Sequence, residues 1–246
     1  MVPATTPITI TCSPKFGLDR TLEHVAAARH SGHRVVPHLA ARMISDEKEL
    51  REFVRRLADL GVDDLYVIGG DGETPRGPFG EAYDVLRALQ DIEHPFVRLG
   101  VGCYPEGHPH ISKDALIDAL VRKQEYAHYM VSQLCFDSAA LLDWTRETRE
   151  FGVDLPLRIG LAAPLQARKL VELSLKIGVG SSVKFLTKQH GIVGNLLLGR
   201  AYEPAHLVGD IVSAPDLESL NIEGLHMFSF NQVDLTVDWL ATNGQR

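Results

Sequence analysis

The chain has 246 residues, of which 45% are hydrophobic and 23% are charged, and this composition is typical of a globular protein with a large buried core. Its formal net charge of −7 argues against nucleic acid or an anionic membrane as the partner and favours small molecules. Cys12, Cys103 and Cys135 lie in separate apolar runs, which indicates reduced core thiols rather than a disulfide framework or a metal site. The sequence shows no signal-peptide pattern and no apolar run of membrane-spanning length, so we expect a cytoplasmic protein.

Apolar runs rich in β-branched residues alternate along the chain with stretches of helical periodicity. The predicted strands span residues 8–12, 34–39, 64–68, 98–103, 129–136, 157–162 and 225–230. The predicted helices span residues 20–29, 46–60, 81–89, 113–126, 139–151, 167–173 and 233–240, with Asp19 and Ser45 as N-caps and Gly61 as a stop. Residues 183–186 fit either a helix, which we favour, or a short strand, and residues 191–217 are predicted to be mostly helical.

This alternation predicts a parallel sheet with helical crossovers, because parallel neighbours need long connections. We therefore expect an α/β protein of the (β/α)₈ TIM-type barrel class that forms a single domain over residues 1–246. A closed barrel of this class needs eight strands, and the sequence supplies seven clear ones. Either residues 183–186 form the eighth strand, or one strand is missing, or the sheet is open.

Polar side chains follow the predicted strands at their carboxyl ends. They are Thr11 with Ser13, His38, Asp71, Tyr104 with Glu106 and His108, Gln133 with Asp137, Gln166, and Asn231. In a parallel barrel these residues would project toward one face, which predicts a single pocket there. Single residues of this set also have purely structural explanations. Asp71 could stabilise a turn, His38 could be a hydrogen-bonded core histidine, and Gln133 could bind buried backbone groups.

Several kinds of site do not fit these residues. The GGDGE stretch at residues 69–73 lacks the spacing of a dinucleotide fingerprint and the lysine of a P-loop. Glu106, His108 and His110 superficially suggest metal ligands, but no distant cluster completes a site, so we expect no metal. Cys135 lies in a strand interior, which argues against a nucleophilic thiol. The polar set suits the binding of a polar heterocycle rather than acyl transfer.

Six segments, taken in order and with their spacing, resemble the methylenetetrahydrofolate reductase family. They are PHLAAR, VIGGD, GVGCYPEGHP, YMVSQLCFD, PLQARKL and LHMFSFN. The resemblance implies a (β/α)₈ barrel that holds FAD at the carboxyl ends of its strands. It further implies that NADH or NADPH reduces the flavin, which passes hydride to 5,10-methylenetetrahydrofolate and gives 5-methyltetrahydrofolate, a reaction of one-carbon metabolism and methionine biosynthesis.

The resemblance also assigns roles to individual residues. Those that match family positions near the flavin are Thr11, His38, Gly70, Asp71, Tyr104, His108 and Lys123. Asp71 matches the catalytic aspartate that tunes the flavin potential and helps to bind folate. Gln133 matches the glutamine that contacts folate, with a catalytic role beside Asp71. Gln166 matches a second glutamine in the pocket shared by substrate and nicotinamide.

The sequence departs from the family pattern at four other positions. Leu170 stands where the family has a substrate-binding aromatic residue, so stacking on the substrate should be weaker. Gly69 and Cys12 replace an arginine and a tyrosine that contact the flavin, and Gln232 replaces an arginine after the last strand. Each change removes a contact, which leaves FAD retention open and makes direct hydride transfer from NADH to folate a variant.

The largest departure is at the front of the chain. The family has a strand before the one that matches residues 8–12, and this strand carries a general-acid glutamate. Residues 1–7 are too short and too rich in proline to form it, which suggests a chain that starts late. We then expect an exposed edge between the first and last strands, left open or covered by a second copy in a homo-oligomer. Glu106 is a candidate substitute acid.

Two other readings of the residues stay open. One is a folate- or flavin-binding barrel with reduced or lost reductase activity, which the absent glutamate favours and which Asp71, Gln133 and Gln166 oppose. The other is an unrelated (β/α)-barrel lyase or isomerase that uses Asp71 and His108.

Overall fold

The computed structural model describes residues 2–3, 6–176 and 201–243. Within these residues, seven strands form one sheet in the order β1-β2-β3-β4-β5-β6-β9. These strands are β1 (Ile8–Ile10), β2 (Val35–Ala40), β3 (Asp64–Ile68), β4 (Arg98–Cys103), β5 (Tyr129–Ser132), β6 (Leu157–Ala162) and β9 (Ile222–Phe228). A second, antiparallel sheet pairs β7 (Leu165–Gln166) with β8 (Ala201–Tyr202).

Helices connect the strands of the main sheet. They are α1 (Gly17–His30), α2 (Glu47–Asp59), α3 (Ala82–Leu89), α4 (Lys113–Lys123), α5 (Ser138–Glu150), α6 (Ala167–Lys176), α7 (Ala205–Val212) and α8 (Val233–Asn243). Short 3-10 turns lie at Ala41–Met43 and Leu217–Leu220. None of the helices in the described part of the chain is long and apolar enough to cross a membrane.

The strand order confirms the predicted fold class. Strands β1 to β4 pair with their neighbours in parallel, and β6 pairs in parallel with β9. Sequential parallel strands with a helix between each pair are the topology of a TIM-type barrel. As predicted, the described residues supply seven strands to this sheet, with β1 and β9 at the two ends of its order. Residues 183–186, the candidate eighth strand, lie outside the described residues.

The contacts divide the chain into two compact units. Of the described residues, those up to 102 together with 122–130 form the N-terminal unit, and 103–121 together with those from 131 onward form the C-terminal unit. In the N-terminal unit, α2 turns an apolar face of Leu50, Phe53, Val54 and Leu57 inward, each at most 2% exposed. Burial of one such side chain stabilises the fold by about 1.5–3 kcal/mol.

A buried polar pair also belongs to the N-terminal unit. The Tyr129 hydroxyl donates a 2.8 Å hydrogen bond to Asp64, which is 2% exposed. The Tyr129 ring occupies the space where a side chain at position 100 would lie, because a Cβ on Gly100 would be 2.3 Å from a carbon of that ring. Glycine in β4 therefore makes room for the partner that satisfies a buried carboxylate.

The core of the C-terminal unit includes a group that we call the apolar cluster. It consists of Leu134, Phe136, Ala162, Leu165, Leu170 and Tyr202, each at most 8% exposed. Leu165 and Tyr202 are register partners in the β7–β8 pair, so this small sheet carries two members of the cluster. The sequence did not predict the pair, because its two strands are far apart in the chain.

The structure corrects several local predictions. Asp19 is not an N-cap: α1 begins at Gly17, and Asp19 lies within its first turn. Asp46, rather than Ser45, caps α2, and its side chain accepts from the Glu49 N–H at 2.7 Å. Strand β5 ends at Ser132, four residues before the predicted end, and β9 begins at Ile222, three residues before the predicted start.

Candidate functional site

A glycine turn follows β3 and positions Asp71. Gly70 has a φ of +93°, and a Cβ there would lie 3.0 Å from the Cβ of Ala40, so only glycine fits without strain. Asp71 comes next and is exposed to solvent. Nothing lies within 4 Å of the place where a Cβ of Gly69 would sit, so the space beside this backbone is open. The turn thus presents a carboxylate beside uncovered backbone.

Arg42, just after β2, holds this turn and the loop that follows it. Its Nε donates to the Gly80 carbonyl at 2.9 Å, and its Nη1 donates to the Gly72 carbonyl at 2.6 Å. Its backbone N–H donates to Gly69, and its carbonyl accepts from the Arg76 N–H, both at 3.0 Å. Sequence reasoning missed this positioning residue, although Arg42 is the last letter of the PHLAAR segment.

Cys12 lies close to the Asp71 turn. Burial raises the pKa of its thiol to about 11; a backbone hydrogen bond involving Ala40 opposes this, and the negative charge of Asp71 adds to it. The thiol therefore stays protonated at neutral pH and acts as a small neutral group. Thr11, the residue before it, follows the end of β1 and is exposed.

His38 and Lys123 are the other predicted site residues of the N-terminal unit. His38 lies two residues before the end of β2 rather than at its tip, and its ring centroid is 4.7 Å from that of Tyr66 on β3. Lys123 ends α4, and its ammonium group donates to the carbonyl of Gly102 at 3.4 Å. These contacts fix a half-buried imidazole and a half-buried cation in the same unit as Asp71.

Tyr104 and His108 lie in the loop after β4, which belongs to the C-terminal unit. Gly107 has a φ of +87°, and its N–H donates to the Tyr104 carbonyl at 3.0 Å, which closes a tight turn. The two rings then meet edge to face, with centroids 5.0 Å apart. The Nδ1 of His108 accepts from the His110 N–H at 3.2 Å. The loop therefore holds an aromatic ring and an imidazole together.

Glu106 in the same loop binds backbone. Its Oε1 accepts the N–H groups of Phe136 and Asp137 at 2.6 and 3.0 Å. Asp137 in turn caps α5 by accepting from the Ala140 N–H at 3.0 Å. Glu106 is thus a positioning residue that fixes the segment between β5 and α5.

Gln133 begins that segment. Its N–H donates to the Cys103 carbonyl at 2.8 Å, and its side-chain Oε1 accepts from the Leu134 N–H at 2.9 Å. With the oxygen engaged, the side-chain NH₂ is the group that could donate to a ligand. The structure thus confirms the backbone contact of Gln133, and its contact with a ligand stays a prediction.

Gln166 and Leu170 are placed very differently, although only four positions separate them. Gln166 is exposed at the end of β7 and lines a cavity of about 620 Å³, together with Glu203, Asp238 and Trp239. Leu170 is 1% exposed and belongs to the apolar cluster. A side chain so fully enclosed cannot offer a face to a substrate ring.

The Cys135 thiol and the Tyr202 hydroxyl of the C-terminal unit both have raised pKa values. Burial, with the nearby charge of Glu106 as a second cause, raises the pKa of the Cys135 thiol well above its usual value. The same two causes raise the pKa of Tyr202. Cys135 therefore stays a neutral core thiol. The described part of the chain contains no group of three or more His, Cys, Asp or Glu side chains that could hold a metal ion.

Comparisons with known proteins identify a family for most of the chain. The family model described as methylenetetrahydrofolate reductase matches residues 6–180. The chain is similar to methylenetetrahydrofolate reductase 2 of Saccharomyces cerevisiae (strain ATCC 204508 / S288c), with 27% identity over 89 residues. That match covers 35% of this chain and only 15% of the yeast protein.

A solved structure was also compared with this fold. It is the crystal structure of a lyase/mutase-type protein from Burkholderia cenocepacia J2315, with 19% identity and a TM-score of 0.43. The match covers 59% of this chain and 53% of the other.

Proposed function

Because this chain belongs to the methylenetetrahydrofolate reductase family, we propose that it reduces 5,10-methylenetetrahydrofolate to 5-methyltetrahydrofolate with NADH or NADPH, through bound FAD. The family match over residues 6–180 carries the proposal, since it includes every residue proposed below to bind the flavin or the substrate. Family membership by itself indicates a folate-related oxidoreductase. The FAD, the hydride donor, a place in methionine biosynthesis and a cytoplasmic location are parts of the proposal.

The residues of the N-terminal unit fit a flavin. The open space beside Gly69 allows a planar ring to approach the backbone closely, and Lys123 supplies a positive charge for an anionic cofactor. In this proposal Thr11, His38, Gly70, Asp71 and Lys123 hold the flavin, and Tyr104 and His108 stay predicted contacts. The flavin, when bound, supplies hydride transfer.

The side chains themselves bind and orient the substrate. Asp71 is an exposed carboxylate and accepts hydrogen bonds from the N–H groups of a pterin ring. Gln133 donates from its NH₂ group, because its oxygen is held by Leu134. Gln166 lies at a cavity whose volume of about 620 Å³ suits a small-molecule ligand.

Absorbance and turnover of the purified protein test the proposal. We expect a yellow protein with flavin absorbance bands that oxidises NADH or NADPH when menadione is the acceptor. A protein without flavin bands, without turnover and without folate binding would contradict it.

One observation favours a second candidate function, a folate- or flavin-binding barrel with reduced or lost reductase activity. The one carboxylate considered as a substitute general acid, Glu106, binds the backbone of residues 136 and 137 through Oε1. Folate or flavin binding without turnover would identify this function. A colourless protein that still forms 5-methyltetrahydrofolate from NADH would instead identify direct hydride transfer.

A second copy of the chain is the partner that we propose besides these small molecules. Strands β1 and β9 end the order of the described sheet and are only partly buried, and Leu225 of β9 is 42% exposed. Exposed strand edges invite pairing with another chain. Light scattering after gel filtration should show a homodimer, which Leu225→Lys should weaken; a monomer at all concentrations would contradict this.

A further inference from the structure

Two phenylalanines at the end of β9 form a continuous aromatic surface in the C-terminal unit. Phe228 is the last residue of β9, and the ring of Phe230 lies nearly parallel to it, with centroids 6.4 Å apart and an interplanar angle of 27°. Both rings pack against the apolar cluster and both stay partly exposed. One side of the pair is therefore supported by core residues while part of it remains open.

The backbone at this point is strained. Phe230 and Asn231 have φ values of +49° and +61°, in the left-handed region. Asparagine tolerates this region, but a bulky residue such as phenylalanine rarely occupies it. Strain of this kind persists where the surroundings impose it and is concentrated at ligand-binding sites. The position of the Phe230 ring is thus maintained at a cost in stability.

Gly160 on β6 makes room for the Phe228 ring beside Gln133. A Cβ at Gly160 would lie 2.8 Å from Cε2 of Phe228, 2.2 Å from the Ser132 carbonyl oxygen and 3.0 Å from that of Gln133. Any larger residue would displace either the ring or the neighbouring backbone. The aromatic surface consequently begins next to the glutamine that is proposed to contact folate.

A neutral imidazole lies against the Phe228 ring. The imidazole of His226 meets the Phe228 ring edge to face, with centroids 4.9 Å apart. Burial lowers the pKa of His226 to about 4, and the positive charge of Arg158 contributes, so this imidazole is neutral at neutral pH. Leu170, at the position where a stacking side chain was expected, is enclosed in the apolar cluster. Phe228 therefore offers a partly exposed aromatic ring beside Gln133, and Phe230 extends that surface.

We propose that Phe228 and Phe230 form the surface on which an aromatic ring of the folate substrate stacks, next to Gln133. This inference rests on the proposed function. It relocates the stacking contact from the position of Leu170 on α6 to the end of β9. Offset or edge-to-face contacts between aromatic rings contribute affinity beyond the apolar area that they bury.

Binding of 5-formyltetrahydrofolate, used as a stable reduced folate, to three variants tests the proposal by calorimetry. Phe230→Leu keeps an apolar side chain but removes the ring, and should raise Kd about three- to tenfold. Phe230→Tyr restores the ring and should bind within about twofold of the original protein. Phe151→Leu, which removes an exposed ring just beyond α5, is the control and should leave Kd unchanged.

A fourth variant, Phe230→Gly, distinguishes a loss of folate affinity from a loss of stability. Glycine accepts the positive φ, so relief of strain offsets part of the lost packing, yet folate affinity should fall as in Phe230→Leu. If the original protein binds folate and both ring-less variants bind it equally well, the stacking surface is refuted while the proposed function stands. If the original protein binds no folate, the proposed function itself fails.

Discussion

Glu106 and Phe136 are joined by a 2.6 Å hydrogen bond in which the Phe136 N–H donates to Glu106 Oε1. The same oxygen accepts the N–H of Asp137, the cap of α5. One carboxylate thereby connects the loop after β4 to the segment that carries Gln133. Glu106, the candidate substitute acid, therefore positions this segment.

Substitution of Glu106 distinguishes positioning from acid catalysis. Glu106→Ala leaves two N–H groups without their acceptor and should lower the free energy of unfolding by about 2–4 kcal/mol in urea titrations. Glu106→Gln keeps an oxygen that can accept the two N–H groups, so it should lower the free energy of unfolding by only about 1 kcal/mol and retain most of the turnover. Glu150→Ala, an exposed carboxylate at the end of α5, is the control. Full stability with abolished turnover in Glu106→Gln would make Glu106 the acid.

Gly69→Arg should increase flavin retention. The backbone at Gly69 has no positive φ, and nothing lies within 4 Å of its would-be Cβ, so a side chain can be added without strain. A guanidinium there would supply the cation that the family has and this chain lacks. We expect a several-fold lower Kd for FAD, measured by flavin fluorescence. Gly209→Arg on α7 adds the same charge at another open glycine and should change nothing. If both variants bind FAD more tightly by the same factor, the effect comes from net charge and the proposed contact at position 69 is contradicted.

Burial of the neutral His226 imidazole should make the stability of the fold fall in mild acid. Its folded-state pKa of about 4 is below the unfolded value of about 6.5, so the unfolded chain binds more protons between these pH values. Stability is therefore complete above about pH 6.5 and falls as the pH drops toward 4. His226→Gln should remove about 3 kcal/mol of this dependence in urea titrations at several pH values. The same pH dependence in His226→Gln as in the original protein would contradict the assignment.

The strands were the most predictable part of the fold. Strands β3, β4 and β6 have the predicted bounds. Each is a short, largely apolar run, and polar residues, glycine or proline follow soon after its end. Strand β5 ends early because Gln133 turns its own side chain onto the backbone and the Cys135 N–H donates to Gly160 instead. Such an ending depends on partners in neighbouring strands, which local pattern does not reveal.

The places of the candidate site residues at the strand ends were predictable, but the residues that support them were not. Asp71 and Gln133 follow their strands as expected, since a polar residue after an apolar run is a local signal. Arg42 acts through carbonyls 30 and 38 residues away, and Gly160 acts by leaving space for Phe228. Both contributions are long-range, so the sequence alone could not identify them.

The most direct test of the proposed reaction measures its two halves in the original protein and in Asp71→Asn. We expect NADH- or NADPH-dependent formation of 5-methyltetrahydrofolate by the original protein. Asp71→Asn should slow this folate reduction more than it slows NADH oxidation with menadione, because the carboxylate is proposed to contact the pterin. Equal slowing of both halves would contradict the role of Asp71, and no 5-methyltetrahydrofolate from the original protein would contradict the proposed reaction.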